Sequence, residues 1–329
     1  MPRDGFDREI DYLRISLTDR CNLRCVYCMP LGPLRFLPPG ELLTAAEIEA
    51  VVRAAVAVGF RKFRFTGGEP TLRADLVEIV ARTAAVPGVG DLAMTTNAVL
   101  LAELAAPLAA AGLRRVNVHL DALDPERLTR VMRWGRFADV WRGIEAAEAA
   151  GLRPMKLNTV VVRGFNEDDV VPLATLTRTR DWHVRFIETM PLGGDEPSRL
   201  ARTHLVPSAT VRARIIAALG PLEPLPTRHP SDESRNYRLA GAPGVVGFIS
   251  PVSEPYCGSC NRMRLTAEGR FHLCLLNDDA LDVRAALRAG ADDEAIGRIL
   301  LTAVAGKPTG HRLDLGRSTA ERQMFQIGG

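Results

Sequence analysis

The stretch "YLRISLTDRCNLRCVYCMP" at residues 12–30 joins a short apolar alternation to three closely spaced cysteines. Apolar and polar residues alternate over residues 12–18, which predicts a β-strand with one apolar face. The cysteines that follow, in the spacing Cys-x3-Cys-x2-Cys, are Cys21, Cys25 and Cys28. Potential metal ligands directly after a strand indicate a site at the carboxyl end of a parallel sheet.

Strand-like and helix-like segments alternate about six times between residues 12 and 220. The first helix is predicted over 44–59, because Thr44 can cap its start and Glu47 completes a capping box. Such repetition favours a parallel sheet with helical crossovers. Six units rather than eight predict an α/β fold with an incomplete (β/α)6 TIM-type barrel. An open doubly wound sheet is the alternative.

The pattern changes after Gly220. Residues 221–244 are rich in proline and polar residues and are predicted to form a loop. Two helices are predicted further on, within residues 282–306. We therefore divide the chain into a barrel at 1–220 and a C-terminal region at 221–329 that closes the open side of the barrel.

Composition sets broad limits on function. The chain has 329 residues, of which 47% are hydrophobic, enough for a sizeable core. No apolar run reaches the ~18 residues of a membrane span, and the charged first residues lack the apolar stretch of a signal peptide. A cytoplasmic protein is expected. A net charge of +3 does not predict a nucleic-acid binder.

Lysine is rare in this chain. The 42 basic residues include three lysines: Lys62, Lys156 and Lys307. Arginine offers the better fork for phosphate oxygens. A lysine retained against this bias is therefore a candidate for a specific role.

The three N-terminal thiols suit a soft metal. They supply three ligands, which leaves one iron of a [4Fe–4S] cluster open for another ligand. A structural zinc site needs four ligands, and His183 or another distant residue could supply the fourth, so zinc is an alternative. The motif "FTGGEP" at 65–70 ends the second predicted strand in the same way. Its glycines allow the backbone to approach a ligand closely.

The remaining three cysteines, spaced Cys-x2-Cys-x13-Cys, are Cys257, Cys260 and Cys274. A redox dithiol would leave Cys274 unexplained, and a zinc site completed by His272 is an alternative. Arg262 and Arg264 lie between the second and third of these cysteines and share one face of an extended segment. Two cations beside a cluster with an open iron indicate an anionic ligand at that iron.

Arginines also occur within the first two predicted strands. Arg14 lies opposite the apolar face of residues 12–18, and Arg64 lies opposite Phe63 and Phe65. If the apolar faces meet the outer helices, both arginines point into the barrel, where a buried cation needs an anionic partner. That partner is either a carboxylate of the chain or a phosphate-bearing substrate. The carboxylates that could serve are Glu69, Asp121 and Glu188.

The segments "ISLTDRCNLRCVYCMP" and "FRFTGGEP" together resemble the radical S-adenosylmethionine (SAM) enzymes. In that superfamily three cysteines hold a [4Fe–4S] cluster, and the fourth iron binds the amino and carboxylate groups of SAM. Further motifs, "TTN", "MKLNTV", "PYCGSCNRMRLT" and the terminal "IGG", narrow the resemblance to the GTP 3′,8-cyclases of molybdenum cofactor biosynthesis. The match runs over nearly the whole chain. Its most discriminating part is the C-terminal cysteine motif with its Arg-x-Arg.

The resemblance to the cyclases implies a role for each matching residue. The first cluster would be held by Cys21, Cys25 and Cys28, and a second [4Fe–4S] cluster by Cys257, Cys260 and Cys274. The residues implied to contact SAM are Tyr27, Gly68, His119 and Met190. With its guanine end on the open iron of the second cluster, GTP would be bound by Arg14, Arg64, Thr95, Lys156, Arg262 and Arg264. The flexible double-glycine tail of the family matches Gly328 and Gly329.

The implied reaction converts GTP to (8S)-3′,8-cyclo-7,8-dihydroguanosine 5′-triphosphate, the first step of molybdenum cofactor biosynthesis. One electron from the first cluster cleaves SAM, and the resulting 5′-deoxyadenosyl radical removes hydrogen from C3′ of the ribose. The C3′ radical then adds to C8 of guanine, and reduction and protonation give the cyclised dihydro product. The alternatives are a peptide-modifying radical enzyme with an auxiliary cluster and a zinc-stabilised nucleotide-binding module without redox chemistry.

Two positions depart from the family pattern. The position of His119 is usually a serine, and Ala98 in "TTNA" replaces the usual glycine, which predicts some loss of turn freedom. The implied partners are a low-potential electron donor of the flavodoxin or ferredoxin type and the next pathway enzyme, cyclic pyranopterin monophosphate synthase. The resemblance also implies a homodimer, and neither nucleic acid nor a membrane as a partner.

Overall fold

The apolar alternation of residues 12–18 forms a buried strand at the centre of the fold. The structure is a computed structural model that describes residues 1–193, 195–227, 229–311, 313 and 322–328. In it, the alternation gives strand β1 (Tyr12–Ser16). Leu13 and Ile15 are fully buried in the hydrophobic core, and Arg14 therefore projects from the opposite face.

Strand β1 begins a series of six parallel strands. The others are β2 (Lys62–Thr66), β3 (Asp91–Thr96), β4 (Arg115–His119), β5 (Lys156–Val161) and β6 (His183–Glu188). Each pairs in parallel with the next one in chain order. Parallel neighbours require a crossover after every strand, so the predicted strand–helix alternation follows directly from this topology.

Helices supply these crossovers. Between the six strands lie α1 (Ala45–Ala57), α2 (Leu76–Ala85), α3 (Leu101–Ala110), α4 (Pro125–Met132), α5 (Phe137–Ala149) and α6 (Val170–Thr175). Two more helices, α7 (Asp195–Thr203) and α8 (Ser208–Leu219), follow β6. Helix α1 begins with the predicted capping box. The backbone N–H of Glu47 donates to Oγ1 of Thr44 at 3.2 Å, and the backbone N–H of Thr44 donates to the Glu47 carboxylate at 2.7 Å.

The residues after Gly220 add strands to both ends of the six. These strands are β7 (Leu222–Pro224), β8 (Arg235–Leu239), β9 (Val245–Ile249), β10 (Arg262–Leu265), β11 (Arg270–His272) and β12 (Ala280–Asp282). The strand order is β12-β11-β10-β1-β2-β3-β4-β5-β6-β9-β8-β7. Strand β10 lies parallel to β1, and β9 lies parallel to β6. Hydrogen bonds therefore make the C-terminal region continuous with the first six strands.

The prediction of a loop over residues 221–244 is wrong in part. Strands β7 and β8 lie within it as an antiparallel pair that places Leu222 opposite Leu239. The ring of Tyr237 packs against that of Phe248 in β9, with centroids 5.6 Å apart. Much of β8 is exposed at this end of the sheet and carries polar residues, so no apolar alternation marks it in the sequence.

Other expectations for local structure are confirmed. The two helices predicted within 282–306 are α9 (Arg284–Arg288) and α10 (Asp293–Ala305), and a short α11 (Met324–Ile327) follows. Ala98 has a φ of +62°, a left-handed conformation that glycine adopts more easily, so this departure does restrict the turn. Among the residues described, no helix has the length and apolar content needed to cross a membrane.

Candidate functional site

The three N-terminal thiols line one open cavity at the carboxyl ends of β1–β6. This is the edge of the sheet at which the sequence predicts a site. The predicted SAM contacts are in the same lining: Tyr27, Gly68, His119 and Met190. Thr95, which is predicted to lie near GTP, also lines this cavity. The structure thus brings the first thiols and the predicted SAM contacts together.

Two glycines at the end of β2 bring its loop against the loop that carries Cys21. The backbone N–H of Gly68 donates to the carbonyl oxygen of Thr18 at 2.7 Å, and that of Glu69 donates to the carbonyl oxygen of Arg20 at 2.8 Å. A Cβ on Gly68 would lie 2.2 Å from that Arg20 oxygen. The motif "GGEP" is therefore required for contact between two loops, besides any approach to a ligand.

The buried carboxylate of Glu69 joins the ends of β2 and β3. It accepts hydrogen bonds from the hydroxyls of Thr71 and Thr96, at 2.6 and 2.7 Å, and from the backbone N–H of Asn97 at 2.7 Å. The side-chain amide of Asn97 donates to Oδ1 of Asn22 at 2.7 Å, within the cysteine loop. This network fixes the loop of the first thiols on the strand ends.

His119, at a position where serine is usual, has two polar neighbours. Its Nε2 lies 2.5 Å from the hydroxyl oxygen of Tyr27 and 2.6 Å from Oδ2 of Asp121. The hydroxyl of Tyr27 also donates to the same carboxylate at 2.8 Å. Burial lowers the pKa of His119, but the Asp121 carboxylate offsets this effect and leaves the pKa above its ordinary value. The ring is therefore held by Tyr27 and Asp121 in the wall of the cavity.

The thiols of Cys21, Cys25 and Cys28 suit a cluster of several metal atoms better than a single metal ion. Burial raises the pKa of Cys21 to about 11 and that of Cys28 to about 12, so deprotonation would need a metal. Over the ranges that the structure describes, no three His, Cys, Asp or Glu side chains converge closely enough to hold one metal ion. A [4Fe–4S] unit is broader and takes its thiolates from around its edge. Three thiols around one cavity therefore fit a cluster.

The C-terminal thiols line a second open cavity. Strand β10 places Arg262 and Arg264 in its lining, as predicted, and Lys307 lies beside them. Burial alone would raise the pKa of Cys260, but Arg262 and Lys307 lower it to about 6. Met190 lines both thiol cavities, which therefore adjoin one another.

The two histidines considered as zinc ligands are in the lining of neither thiol cavity. His183 begins β6 and lines a cavity near the amino ends of the strands. The ring of His272 is fully buried, and neither ring nitrogen has a hydrogen-bond partner among the described residues. Burial lowers the pKa of His272 to about 3. Neither His183 nor His272 is therefore placed to be the fourth zinc ligand, while a third histidine, His311, lines the second thiol cavity.

Strand register aligns three arginines in one row. Arg264 of β10 lies beside Arg14 of β1, which lies beside Arg64 of β2. Side chains at paired positions of parallel strands project to the same side of a sheet. The three guanidiniums therefore share one face. Burial lowers the pKa of Arg64 to about 10 and that of Arg264 to about 9.

A third open cavity extends from Arg64 of this row towards the amino ends of the strands. Arg64 and Lys156, both predicted to bind GTP, line it. Arg115 of β4 and Arg185 of β6 line it as well, and neither was predicted from the sequence. In "HVRFIE", Arg185 alternates with buried apolar residues, so the rule applied to the first two strands would have identified it.

Glu233, between β7 and β8, is the carboxylate that pairs with Arg14. Its Oε1 lies 3.4 Å from Nη2 of Arg14 and 3.7 Å from Nη1 of Arg185, and its Oε2 accepts from Nη1 of Arg262 at 2.5 Å. Arg14 therefore does pair with a carboxylate of the chain, but the prediction that this carboxylate is Glu69, Asp121 or Glu188 is wrong. Those considered make other contacts: Glu69, Asp121 and Glu188.

The C-terminal tail reaches the same face of the sheet. Arg264 donates a hydrogen bond to the carbonyl oxygen of Gly328, and a Cβ on Gly328 would lie 2.6 Å from Cγ2 of Thr66. Phe325 lines the first thiol cavity. Gly329 lies outside the described residues. The tail therefore lies between the arginine row and the first thiols.

The sequence of this chain matches known protein families and relatives. The family model described as Radical SAM superfamily matches residues 15–177, and that described as Molybdenum Cofactor Synthesis C matches residues 182–313. A GTP 3′,8-cyclase from Pelotomaculum thermopropionicum is 50% identical over 329 residues, covering 99% of this chain and 100% of the relative. The chain belongs to the GTP 3′,8-cyclase family. A GTP 3′,8-cyclase from Heliobacterium modesticaldum is 47% identical over 327 residues, covering 99% of each chain.

Solved structures support the fold of this cyclase-family chain. Streptococcus suis SuiB bound to S-adenosylmethionine is 15% identical and gives a TM-score of 0.58, covering 88% of this chain and 68% of that chain. Streptococcus suis SuiB bound to precursor peptide SuiA gives a TM-score of 0.60 at 14% identity, covering 92% of this chain and 66% of that chain. At this identity the likeness shows the fold alone. The predicted α/β class is confirmed, as a radical SAM fold with a parallel-strand sheet.

Proposed function

We propose that this protein is a radical SAM enzyme that converts GTP to (8S)-3′,8-cyclo-7,8-dihydroguanosine 5′-triphosphate, in the first step of molybdenum cofactor biosynthesis. The observation that carries the proposal is the meeting of two three-thiol cavities at Met190, beside one face of buried arginines. The full-length relatives named GTP 3′,8-cyclase support it.

The proposal also covers the shape of the sheet formed by strands β1–β6. Strands β1–β6 would form the incomplete (β/α)6 barrel, and β9 and β10, hydrogen-bonded to β6 and β1, would flank its open side. We retain the division into a barrel at 1–220 and a C-terminal region at 221–329. The C-terminal region would then carry the second cluster and part of the substrate site.

The two thiol sets are assigned one [4Fe–4S] cluster each. Cys21, Cys25 and Cys28 would hold the first, and Cys257, Cys260 and Cys274 the second. When bound, the first cluster supplies the electron that releases a 5′-deoxyadenosyl radical from SAM, and the second offers an open iron to the guanine of GTP.

The residues around the first thiols would position SAM. Gly68 contributes backbone in the loop fixed by Glu69, and Met190 contributes an apolar wall between the two cavities. His119, held by Tyr27 and Asp121, would offer a polar contact in place of the usual serine. No protein side chain is assigned a catalytic step, because the radical comes from SAM.

The arginine face would hold the triphosphate. Bidentate guanidiniums match phosphate oxygens in geometry as well as charge. The proposed contacts are Arg14, Arg64, Lys156, Arg262 and Arg264, with Thr95 nearby and Arg185 added from the structure. Fixing the phosphates at one end and guanine at the other would bring C3′ of the ribose towards the radical and C8 towards C3′.

The partners and location remain proposals from the family resemblance. They are a low-potential flavodoxin-type or ferredoxin-type donor, cyclic pyranopterin monophosphate synthase as the next enzyme, a homodimer, and the cytoplasm.

Anaerobic reconstitution tests the function. The protein is loaded with iron and sulfide, then incubated with SAM, GTP and dithionite. We expect about eight irons per chain, release of 5′-deoxyadenosine that depends on GTP, and the cyclised product by mass spectrometry. Bound zinc without 5′-deoxyadenosine release would refute the proposal in favour of a nucleotide-binding module. Release that depends on a peptide rather than GTP would favour a peptide-modifying enzyme.

A further inference from the structure

Glu233 lies where three arginines from three strands converge. Its carboxylate contacts Arg14 of β1, Arg185 of β6 and Arg262 of β10, with atom separations of 3.4, 3.7 and 2.5 Å. The Glu233 side chain is 14% exposed, and those of the arginines are 13%, 4% and 7% exposed. Each contact is therefore a largely buried, charge-assisted interaction.

These arginines offer more donors than one carboxylate can use. Among the described residues, Nε of Arg14, Nε of Arg64 and Nη2 of Arg262 are buried without a hydrogen-bond partner. A carboxylate has two oxygens, and both oxygens of Glu233 already accept from or lie beside arginines. Buried polar groups normally find partners. The unused donors indicate that this face is built for an anion with more oxygens than a carboxylate.

The charge balance agrees with this conclusion. Further cations face the carboxylate from neighbouring strands: Arg64, Arg115 and Lys156. Arg115 is paired with Asp91. Burial alone would raise the pKa of Glu233, but Arg262 and Arg14 hold it well below its usual range. The carboxylate is therefore ionised at neutral pH and bears a charge like that of a phosphate.

We propose that Glu233 is an internal competitor of the substrate: it binds Arg14, Arg185 and Arg262 through the same donors that phosphate oxygens of GTP would use, and so sets the affinity for GTP. The inference rests on the proposed function, which assigns a triphosphate to this face. A phosphate oxygen and the carboxylate cannot occupy one donor at once. Where a phosphate oxygen takes one of these donors, Glu233 must leave it, and the donors that Glu233 does not use are available to the other phosphate oxygens.

This competition has a physical use. Several like charges buried together repel one another, and one carboxylate reduces that repulsion. Glu233 also holds the guanidiniums of three strands in one orientation. A triphosphate carries more charge and more acceptors, so it can replace the carboxylate, whereas a weaker anion competes less well. Glu233 would thus favour a highly charged ligand.

Glu233→Gln tests the proposal. It keeps the size of the side chain and removes the charge. Asp232→Asn is the matched control, because it removes a charge from the adjacent residue, which is exposed and also lines the third cavity. The anaerobically reconstituted full-length proteins are titrated calorimetrically with GTP and, separately, with inorganic tripolyphosphate.

We expect Glu233→Gln to tighten the binding of both ligands about tenfold, since a competing charged hydrogen bond is lost. Asp232→Asn should stay within about twofold of the unmodified chain, as is usual for an exposed charge. The KM for GTP should fall in Glu233→Gln. Equal or weaker GTP binding in Glu233→Gln would overturn the inference, and tighter binding of GTP without tighter binding of tripolyphosphate would overturn competition with phosphate.

A failure of the proposed function would give a different result in these titrations. If the unmodified chain binds no GTP, the function is wrong whatever Glu233 does. If the unmodified chain binds GTP but Glu233→Gln binds GTP no more tightly, the inference about Glu233 alone is wrong. Should Glu233→Gln not fold, Glu233→Asp replaces it. That variant keeps the charge but shortens the reach to the arginines, so a smaller tightening is expected, and unchanged or weaker binding would overturn the inference.

Discussion

Lys307 places its Nζ 3.8 Å from the Sγ of Cys260 and donates a hydrogen bond to the carbonyl oxygen of Leu273 at 3.0 Å. The lysine is 4% exposed. It therefore connects the loop of the first two C-terminal cysteines to the residue before the third. A rare lysine, noted in the sequence without a role, proves to lie in the wall of a thiol cavity.

Replacing Lys307 should weaken the second metal site. Lys307→Met keeps the chain length but leaves the Leu273 carbonyl without this donor, which costs about 1–3 kcal/mol of stability. It also removes the charge that favours the Cys260 thiolate. We expect the iron content after reconstitution to fall from about eight towards about four per chain. Iron and sulfide analysis with thermal unfolding measures both effects.

Lys62→Met is the control for this variant. Its Nζ lies 3.0 Å from Oδ2 of Asp11, and it lines the third cavity rather than a thiol cavity. Iron content should therefore stay unchanged. Full iron loading in Lys307→Met would show that the lysine does not help to hold the second cluster.

Loss of one cysteine should affect SAM cleavage and product formation differently in the two thiol sets. Cys25→Ser should abolish reductive cleavage of SAM, because the first cluster makes the radical. Cys257→Ser should retain cleavage in the presence of dithionite and GTP, because the arginine face still binds the triphosphate, but it should lose the cyclised product, because guanine is no longer held. Chromatography of 5′-deoxyadenosine and product separates the two results. Normal product from Cys257→Ser would refute a role for the second cluster.

Local patterns predicted much of this site. The strand alternation placed Arg14 and Arg64 on one face, and the register confirms that they are neighbours. The spacing of the cysteines predicted two sets of three, and each set lines one cavity. These features depend on residues close together in the chain, where periodicity and spacing carry direct information.

Contacts that depend on tertiary structure were missed. Glu233 is 219 residues from Arg14 in sequence, and it lies in a polar, proline-rich stretch that resembles a solvated loop. Its carboxylate meets the arginines because β9 and β10 add to opposite ends of the six parallel strands. No local pattern encodes that meeting, which is why the pairing was assigned to other carboxylates.

Arg185 should prove as important for GTP as the arginines found from the sequence. It is 3% exposed, and its Nε donates to Oδ1 of Asn158 at 2.9 Å, which orients the guanidinium. Arg185→Gln should weaken GTP binding about 10- to 100-fold, since one or more charged hydrogen bonds are lost. Arg238→Gln, at an exposed position lining the same cavity, is the control. Equal Kd values for the two variants would contradict the assignment.

The tail should depend on glycine at position 328. Gly328 has a φ of +71°, and a methyl group there would meet Thr66 at 2.6 Å. Gly328→Ala adds about 1 kcal/mol of backbone strain besides this clash, so the tail should leave Arg264 and product formation should fall about tenfold. The assay is the steady-state rate of product formation, with SAM cleavage measured in parallel.

Gly241→Ala separates strain from function. Gly241 has a φ of +70° and no atom within 4 Å of an added Cβ, and it lies in the turn between β8 and β9. Both variants carry similar strain, but Gly241→Ala should keep its activity. A similar loss of rate in both would mean that the effect of Gly328→Ala is not specific to the tail.

Lys156 should make GTP binding depend on pH. Burial and the charge of Arg185 lower its pKa to about 7, so at pH 8 about nine-tenths of this side chain is neutral in the free protein. A bound triphosphate stabilises the ammonium and raises that pKa again. Binding at pH 8 should therefore take up about 0.9 proton, and affinity should fall by up to about tenfold per pH unit above 7.

Calorimetry in buffers of different ionisation enthalpy measures this uptake. At pH 6 the lysine is already charged, so uptake by it should be close to zero. Lys156→Arg keeps a permanent positive charge and should lose the uptake at pH 8 while still binding GTP, which separates Lys156 from Glu233 and from the phosphates themselves. If Lys156→Arg takes up as many protons at pH 8 as the unmodified chain, the proton does not bind at Lys156.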